Sequence, residues 1–150
     1  MIMTIPTHPS WLNVLRLGLL VSAAGWGISF GFVFQSWDAC TIWLYSMGAQ
    51  PIHYQPLLDY WLKMAAATFG GIGIASLLAC FWPQEFRGMI RLLGPFHLLL
   101  AMVLLVSARQ NHLERLSATP LRPDVVFCLL AGVLILFPLV MAGRKLSPAR

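Results

Sequence analysis

His97 is the one histidine that lies deep within a long apolar stretch of this sequence. Ionisable side chains at membrane depth are costly and mark functional sites, so His97 is the first candidate. Gly94 and Ala101 share its face on a helix, which predicts that the imidazole points into a helical bundle. Its possible roles are proton relay, ligand contact, and axial ligation of haem iron or chlorophyll magnesium. The alternative is a neutral imidazole hydrogen-bonded to a neighbouring helix.

Charged residues near the ends of apolar segments form two further candidate sites. Asp59 and Lys63 are four residues apart with the acid first, which is the favourable order for an ion pair on a helix. We expect this pair either to stabilise a helix entrance or to bind a substrate at the membrane surface. Arg16, Arg87 and Arg91 are candidates for binding an anionic lipid headgroup, with ordinary anchoring at the membrane surface as the alternative.

Motifs of enzymes and metal sites are absent from the sequence. It contains no HExxH, GxSxG, P-loop or GxGxxG pattern, so no catalytic residue is predicted and an enzyme is the weakest interpretation. Cys40, Cys80 and Cys128 are far apart without CxxC spacing, and His53 and His112 lie apart in sequence and make only a weak metal site. No metal site is therefore predicted. No carboxylate lies in the middle of an apolar segment, which argues against an ion pump or channel.

The composition predicts an integral membrane protein. Only 10% of the 150 residues are charged and 59% are hydrophobic, with a mean hydropathy of +0.76. A soluble domain of this size needs far more charge on its surface. The net charge of +5 is spread over span ends and does not form a patch, so we expect no nucleic-acid partner.

Four apolar segments are long enough to cross the hydrocarbon core as helices. They run roughly over 11–34, 57–82, 88–108 and 125–143. The expected fold is therefore all-α, a single-domain membrane bundle of four helices. A tight turn over 83–87 predicts that spans two and three form an antiparallel hairpin, and residues 109–124 form a polar loop.

The loop over residues 35–56 is the longest and is rich in aromatic side chains. A short helix is expected from 38 to 47, with Asp38 as its N-cap. Because Trp and Tyr prefer the headgroup level, this loop is expected either to lie on the membrane surface or to cover a cavity between the spans.

Small residues at four-residue spacing predict where the first two spans pack. Lipid is as apolar as leucine, so helices in membranes associate through close backbone approach and interhelical hydrogen bonds. The predicted contact residues form one stripe on each span: Ala23, Gly27 and Gly31 on the first, and Ala67, Gly71 and Ala75 on the second.

Lysine and arginine counts favour an orientation with both termini in the cytoplasm. Six lie on that side and four on the other, where positive residues are expected to be fewer. The inner membrane of a bacterium is the expected location.

The order of elements resembles the small four-helix bacterial membrane proteins that include the DoxX-like families. The resemblance rests on the segment Tyr60-Trp61-Leu62-Lys63-Met64 before a Gly-rich helix, and on Trp82-Pro83-Gln84-Glu85-Phe86-Arg87. It implies a fold and transfers no functional residue. We expect a non-catalytic accessory or assembly subunit of a larger membrane complex, in contact with lipids and other membrane subunits. The alternative is a protein that binds a quinone, lipid or pigment between its helices near His97.

Overall fold

The computed structural model describes residues 5–112 and 121–144, and the chain is helical throughout most of these two ranges. No strand occurs within them. The helices are α1 (Pro9–Gly27), α2 (Trp37–Ser46), α3 (Pro56–Phe81), α4 (Arg87–Gln110) and α5 (Leu121–Arg144). A 3-10 segment, Ile28–Phe34, continues α1.

Four helices are long and apolar enough to cross a membrane. They cover Pro9–Phe34, Pro56–Phe81, Arg87–Gln110 and Pro123–Gly143. Each is a helix because backbone N–H and C=O groups in lipid must be paired within their own segment. The prediction of an all-α bundle with four apolar spans is confirmed, with boundaries close to those expected from the sequence.

Proline and serine mark where helices begin. Pro9 and Pro56 lie in the first turns of α1 and α3, where a missing N–H removes no helical hydrogen bond. The N-cap of α2 is Ser36, whose hydroxyl accepts from the amide of Ala39 at 3.3 Å. The prediction of Asp38 as N-cap was therefore wrong. Asp38 lies in the first turn of α2, where its carboxylate interacts favourably with the helix dipole.

Helices α1 and α5 form the centre of the bundle. Helix α1 packs against both α3 and α5, and α5 packs against α4. Helices α3 and α4 are joined by the short turn over 82–86, as predicted, yet their backbones make little direct contact with each other. The space between them is therefore occupied by side chains from α1.

The crossing of α1 and α3 is the closest backbone approach in this part of the bundle. A Cβ atom on Gly73 would lie 2.5 Å from the backbone nitrogen of Gly27 and 3.1 Å from the carbonyl oxygen of Ala23. Gly70 lies under the ring of Phe30 in the same way. Ala23 and Gly27 thus make the contact that the sequence predicts.

The small residues of α3 that face α1 lie on a different side of the helix from the predicted stripe. Gly71 and Ala67 are exposed, and nothing lies within 4 Å of a Cβ atom placed on Gly71. Gly31 is also exposed and open, and Ala75 is half-buried. The buried small residues of α3 are Ala66, Gly70, Gly73, Ser76 and Ala79. Both stripes consist of small residues, so spacing alone does not decide which of them faces α1.

A buried hydrogen bond joins α1 and α3 one turn beyond the glycine contact. The hydroxyls of Ser22 and Ser76 lie 3.0 Å apart and both side chains are fully buried. Ser76 Oγ also lies 2.8 Å from the carbonyl oxygen of Ile72, to which it donates. Because that bond uses the only hydroxyl proton of Ser76, Ser22 donates to Ser76.

We predict that Gly73→Leu lowers the free energy of unfolding in detergent by about 1–3 kcal/mol, the usual cost of overpacking. The new side chain would meet the backbone of Gly27, which cannot move aside. Gly71→Leu on the exposed face of α3 is the matched control and should change the melting temperature little. Equal melting temperatures for the two variants would contradict this contact.

We also predict a coupling of about 0.6 kcal/mol between Ser22 and Ser76, as is typical of interhelical hydrogen bonds in membranes. It is measured by a double-mutant cycle with Ser22→Ala, Ser76→Ala and the double variant. Strictly additive losses would show that the two hydroxyls do not interact.

Candidate functional site

The indole of Trp26, near the end of α1, lies among side chains from the three other spans. Its ring stacks on Phe69 of α3 with centroids 4.9 Å apart and an interplanar angle of 26°. It meets Phe127 of α5 edge-on at 5.4 Å and 75°. Phe96 of α4 lies 6.4 Å away. Trp26 therefore occupies the space that the sparse contact between α3 and α4 leaves open.

The indole N–H of Trp26 is paired with His97 of α4. Trp26 Nε1 donates to His97 Nε2 at 2.9 Å. His97 Nδ1 lies 2.7 Å from the carbonyl oxygen of Leu93, which can only accept, so Nδ1 carries the proton. The geometry therefore specifies a neutral imidazole with its proton on Nδ1. His97 is fully buried, as its small neighbours Gly94 and Ala101 predicted.

Neither ring nitrogen of His97 is available to a metal in this arrangement. Nδ1 donates to the backbone and Nε2 accepts from Trp26. Axial ligation of haem or chlorophyll would require the Trp26 hydrogen bond to break and the indole to move. The geometry thus favours the hydrogen-bonded imidazole among the alternatives that the sequence left open.

A cavity of about 290 Å³ borders the Trp26 indole. Leu100 and Leu104 follow His97 at helical spacing on α4 and form its aliphatic wall. Its polar groups are the hydroxyl of Ser29 and the carboxylate of Asp124, in the first turn of α5. The lining residues are Gly25, Trp26, Ser29, Phe69, Leu100, Leu104, Asp124 and Phe127.

Gly25 allows one wall of this cavity to form. A Cβ atom on Gly25 would overlap the ring of Phe127, so only glycine lets that ring lie against α1. After Gly27 the backbone changes from α-helix to the 3-10 segment, which contains the lining residue Ser29. The tighter 3-10 winding is unusual over seven residues and often marks a functional position.

No residue of the loop over 35–56 lines this cavity, so the loop does not cover it as a lid. Cys40 and Thr41 of α2 are buried, and the Cys40 thiol donates to the carbonyl oxygen of Phe32 at 3.9 Å. Burial, reinforced by the nearby Asp59 carboxylate, raises the pKa of the Cys40 thiol. Cys40 is therefore a packing residue of the loop.

The Asp59–Lys63 pair is present at the start of α3. Lys63 Nζ donates to Asp59 Oδ2 at 2.9 Å, and the other carboxylate oxygen is buried without a hydrogen-bond partner. Neither residue lines the cavity. The structure thus shows an ion pair at the start of α3. It gives no separate support to substrate binding by these two residues.

The candidate lipid-binding arginines lie toward the opposite end of the bundle. Arg16 and Arg87 are exposed, whereas Arg91 is half-buried and its Nε has no hydrogen-bond partner. Binding of an anionic lipid by these three side chains stays a prediction. Arg115, Lys145 and Arg150, which enter the orientation count, lie outside the described residues.

Within the described part of the chain, no three His, Cys, Asp or Glu side chains come together as a metal site would require. Comparisons with protein families, curated proteins and solved structures found no match.

Sequence reasoning missed Trp26, Phe69, Phe127 and Asp124 as site residues. One signal was available for the first of them. An indole N–H in the middle of an apolar span needs an acceptor, and His97 is the one imidazole at comparable depth. For the other residues, spacing within one helix does not reveal which side chains of another helix they meet.

We predict that Trp26→Phe lowers the free energy of unfolding by about 1–3 kcal/mol, because His97 Nε2 is left as a buried acceptor without a donor. Trp43→Phe in α2, where the indole is exposed, is the matched control. Nitrogen-15 spectra of the imidazoles should show one histidine fixed with its proton on Nδ1 in wild type. Loss of that signature in Trp43→Phe, or an unchanged chemical shift of His97 Nε2 in Trp26→Phe, would contradict the assignment.

Proposed function

We propose that this protein binds a small lipophilic molecule in the cavity between α1, α3, α4 and α5. The observation that carries the proposal is the cavity itself, whose walls combine aromatic and aliphatic side chains with two polar groups. Ligand sites are usually concave and mostly apolar, with a few polar groups that orient the ligand. A volume of about 290 Å³ lies at the small end of such sites, so the ligand or its bound portion is small.

The cavity is held open by contacts that do not involve a ligand. The hydrogen bond to His97 and the stacking on Phe69 fix the indole of Trp26 in place. Because Gly25 has no side chain, the ring of Phe127 packs directly against α1. A rigid wall supports binding, because little order is lost when the ligand enters.

The proposed orientation places the mouth of the cavity on the extracytoplasmic side. Asp124 lies at the end of the bundle where α1 and the 3-10 segment finish and α5 begins. With both termini in the cytoplasm, as the arginine and lysine count favours, this end faces away from the cytoplasm. We place the protein in a bacterial inner membrane on the same basis.

An accessory role in a larger complex remains a second proposal. The exposed apolar side chains of the spans suit a protein partner, but lipid contact requires the same surface. The resemblance to DoxX-like proteins likewise remains an expectation about fold and names no ligand. The cavity therefore makes ligand binding the better supported function.

The test is a cavity-filling substitution, Leu104→Trp, with Leu105→Trp as the matched control. Leu104 lines the cavity, whereas Leu105 is exposed on the adjacent face of α4. Each variant is extracted with native lipid into nanodiscs, and bound small molecules are identified by mass spectrometry. We expect one species at near-stoichiometric amounts in wild type and Leu105→Trp, and at least about tenfold less of it in Leu104→Trp.

The same small-molecule content in wild type and Leu104→Trp would contradict the proposal. The melting temperature of Leu104→Trp is measured alongside, so that loss of the ligand is separated from loss of the fold.

A further inference from the structure

We infer that the ligand of this cavity carries an ammonium group, which Asp124 and the rings of Trp26, Phe69 and Phe127 bind. The inference rests on the proposed function and adds the chemical class of the ligand. Quaternary and tertiary ammonium groups are recognised by several aromatic faces together with a carboxylate. All four of these side chains line the one cavity.

The three rings are arranged so that they present differently oriented surfaces. Trp26 and Phe69 are nearly parallel at 26°, whereas Phe127 stands at 75° to Trp26. Aromatic faces carry the negative part of the ring quadrupole, and Trp gives the strongest cation–π interaction. Three aromatic rings in two orientations therefore line the cavity, which is the kind of side chain that binds an ammonium group.

The polar groups of the cavity favour a donor or cation over an acceptor. The N–H of Trp26 is committed to His97, so the indole offers the cavity no hydrogen-bond donor. Of the remaining described side chains that line the cavity, Ser29 alone is a hydrogen-bond donor, and the carboxylate of Asp124 accepts. A quinone, whose carbonyls need donors, is poorly matched to this lining.

Within the described residues, no cationic side chain pairs with the carboxylate of Asp124. Among the side chains that the structure describes, those lining the cavity include no Lys, Arg or His. A carboxylate next to low-dielectric walls attracts a cation far more strongly than it would in water. An anionic ligand would be repelled at the mouth.

Two kinds of ligand carry an ammonium group of this type. A choline headgroup of a membrane lipid and a free amphiphilic amine both present an ammonium group next to apolar carbon. Leu100 and Leu104 form an aliphatic wall for the apolar part in either case.

The experiment compares benzyltrimethylammonium with neopentylbenzene, a neutral molecule of the same shape. Binding to the purified full chain in nanodiscs of phosphatidylglycerol is measured by equilibrium dialysis. We expect the cation to bind at least about tenfold more tightly than its neutral isostere. We expect Asp124→Asn to weaken binding of the cation by about tenfold or more, and to leave the isostere within about twofold, as the loss of one charged contact implies.

Asp38→Asn removes an exposed carboxylate on α2, outside the cavity, and is the control for a general change in charge. A purely structural role of Asp124 in the first turn of α5 would alter both probes together. Repeating the measurement in phosphatidylcholine nanodiscs separates the two sources. Competition by the lipid identifies the headgroup as the source, and undiminished binding identifies a free amine, and both support the ammonium class.

Equal binding of the two probes, both abolished by Leu104→Trp, would overturn the ammonium inference and leave the proposed cavity function standing. Binding of neither probe, with the same bound small molecules in wild type and Leu104→Trp, would overturn both.

Discussion

The hydrogen bond from Trp26 to His97 determines the interior of this bundle. It fixes the plane of an indole that contacts all three other spans, and the other contacts of the indole follow from that plane. One face lies on Phe69, and the edge of Phe127 meets the ring from α5. Because the N–H is used at His97, the part of the indole that borders the cavity is apolar. The hydrogen bond from Trp26 thus satisfies the buried imidazole and positions the indole that lines the adjacent cavity.

Glycine contacts decide where the helices touch and where they stay apart. At Gly73 the backbones of α1 and α3 meet, since neither Gly73 nor Gly27 has a side chain to separate them. At the next level the bulky rings of Trp26 and Phe69 intervene, and the helices cannot close around them. Burial of apolar surface adds little to helix association in a membrane. The shape of the interior therefore depends on where the backbones touch and where large rings hold the helices apart.

The sequence predicted the spans well because their composition is a requirement of the bilayer and does not depend on the fold. It also predicted that His97 points inward, since Gly94 and Ala101 mark a face suited to close packing. It did not predict that Gly70 and Gly73 face α1 instead of Gly71. Two stripes of small residues run side by side on α3, and only the rotation of the helix decides between them. The partner of His97 was missed for a related reason, because pairing across helices depends on which spans are neighbours.

The position of the two ionisable groups around the cavity argues for binding and against conduction. His97 is sealed behind the indole, with both nitrogens committed, so no proton passes between it and the cavity unless the Trp26 hydrogen bond breaks. Asp124 is exposed and lines the same cavity, whereas His97 is not among the lining residues and contacts two of them, Trp26 and Phe127. A relay needs ionisable groups in contact along the path, whereas here an apolar wall divides them. A carboxylate at the mouth and a fixed aromatic wall behind it form a site that a ligand enters and leaves by the same side.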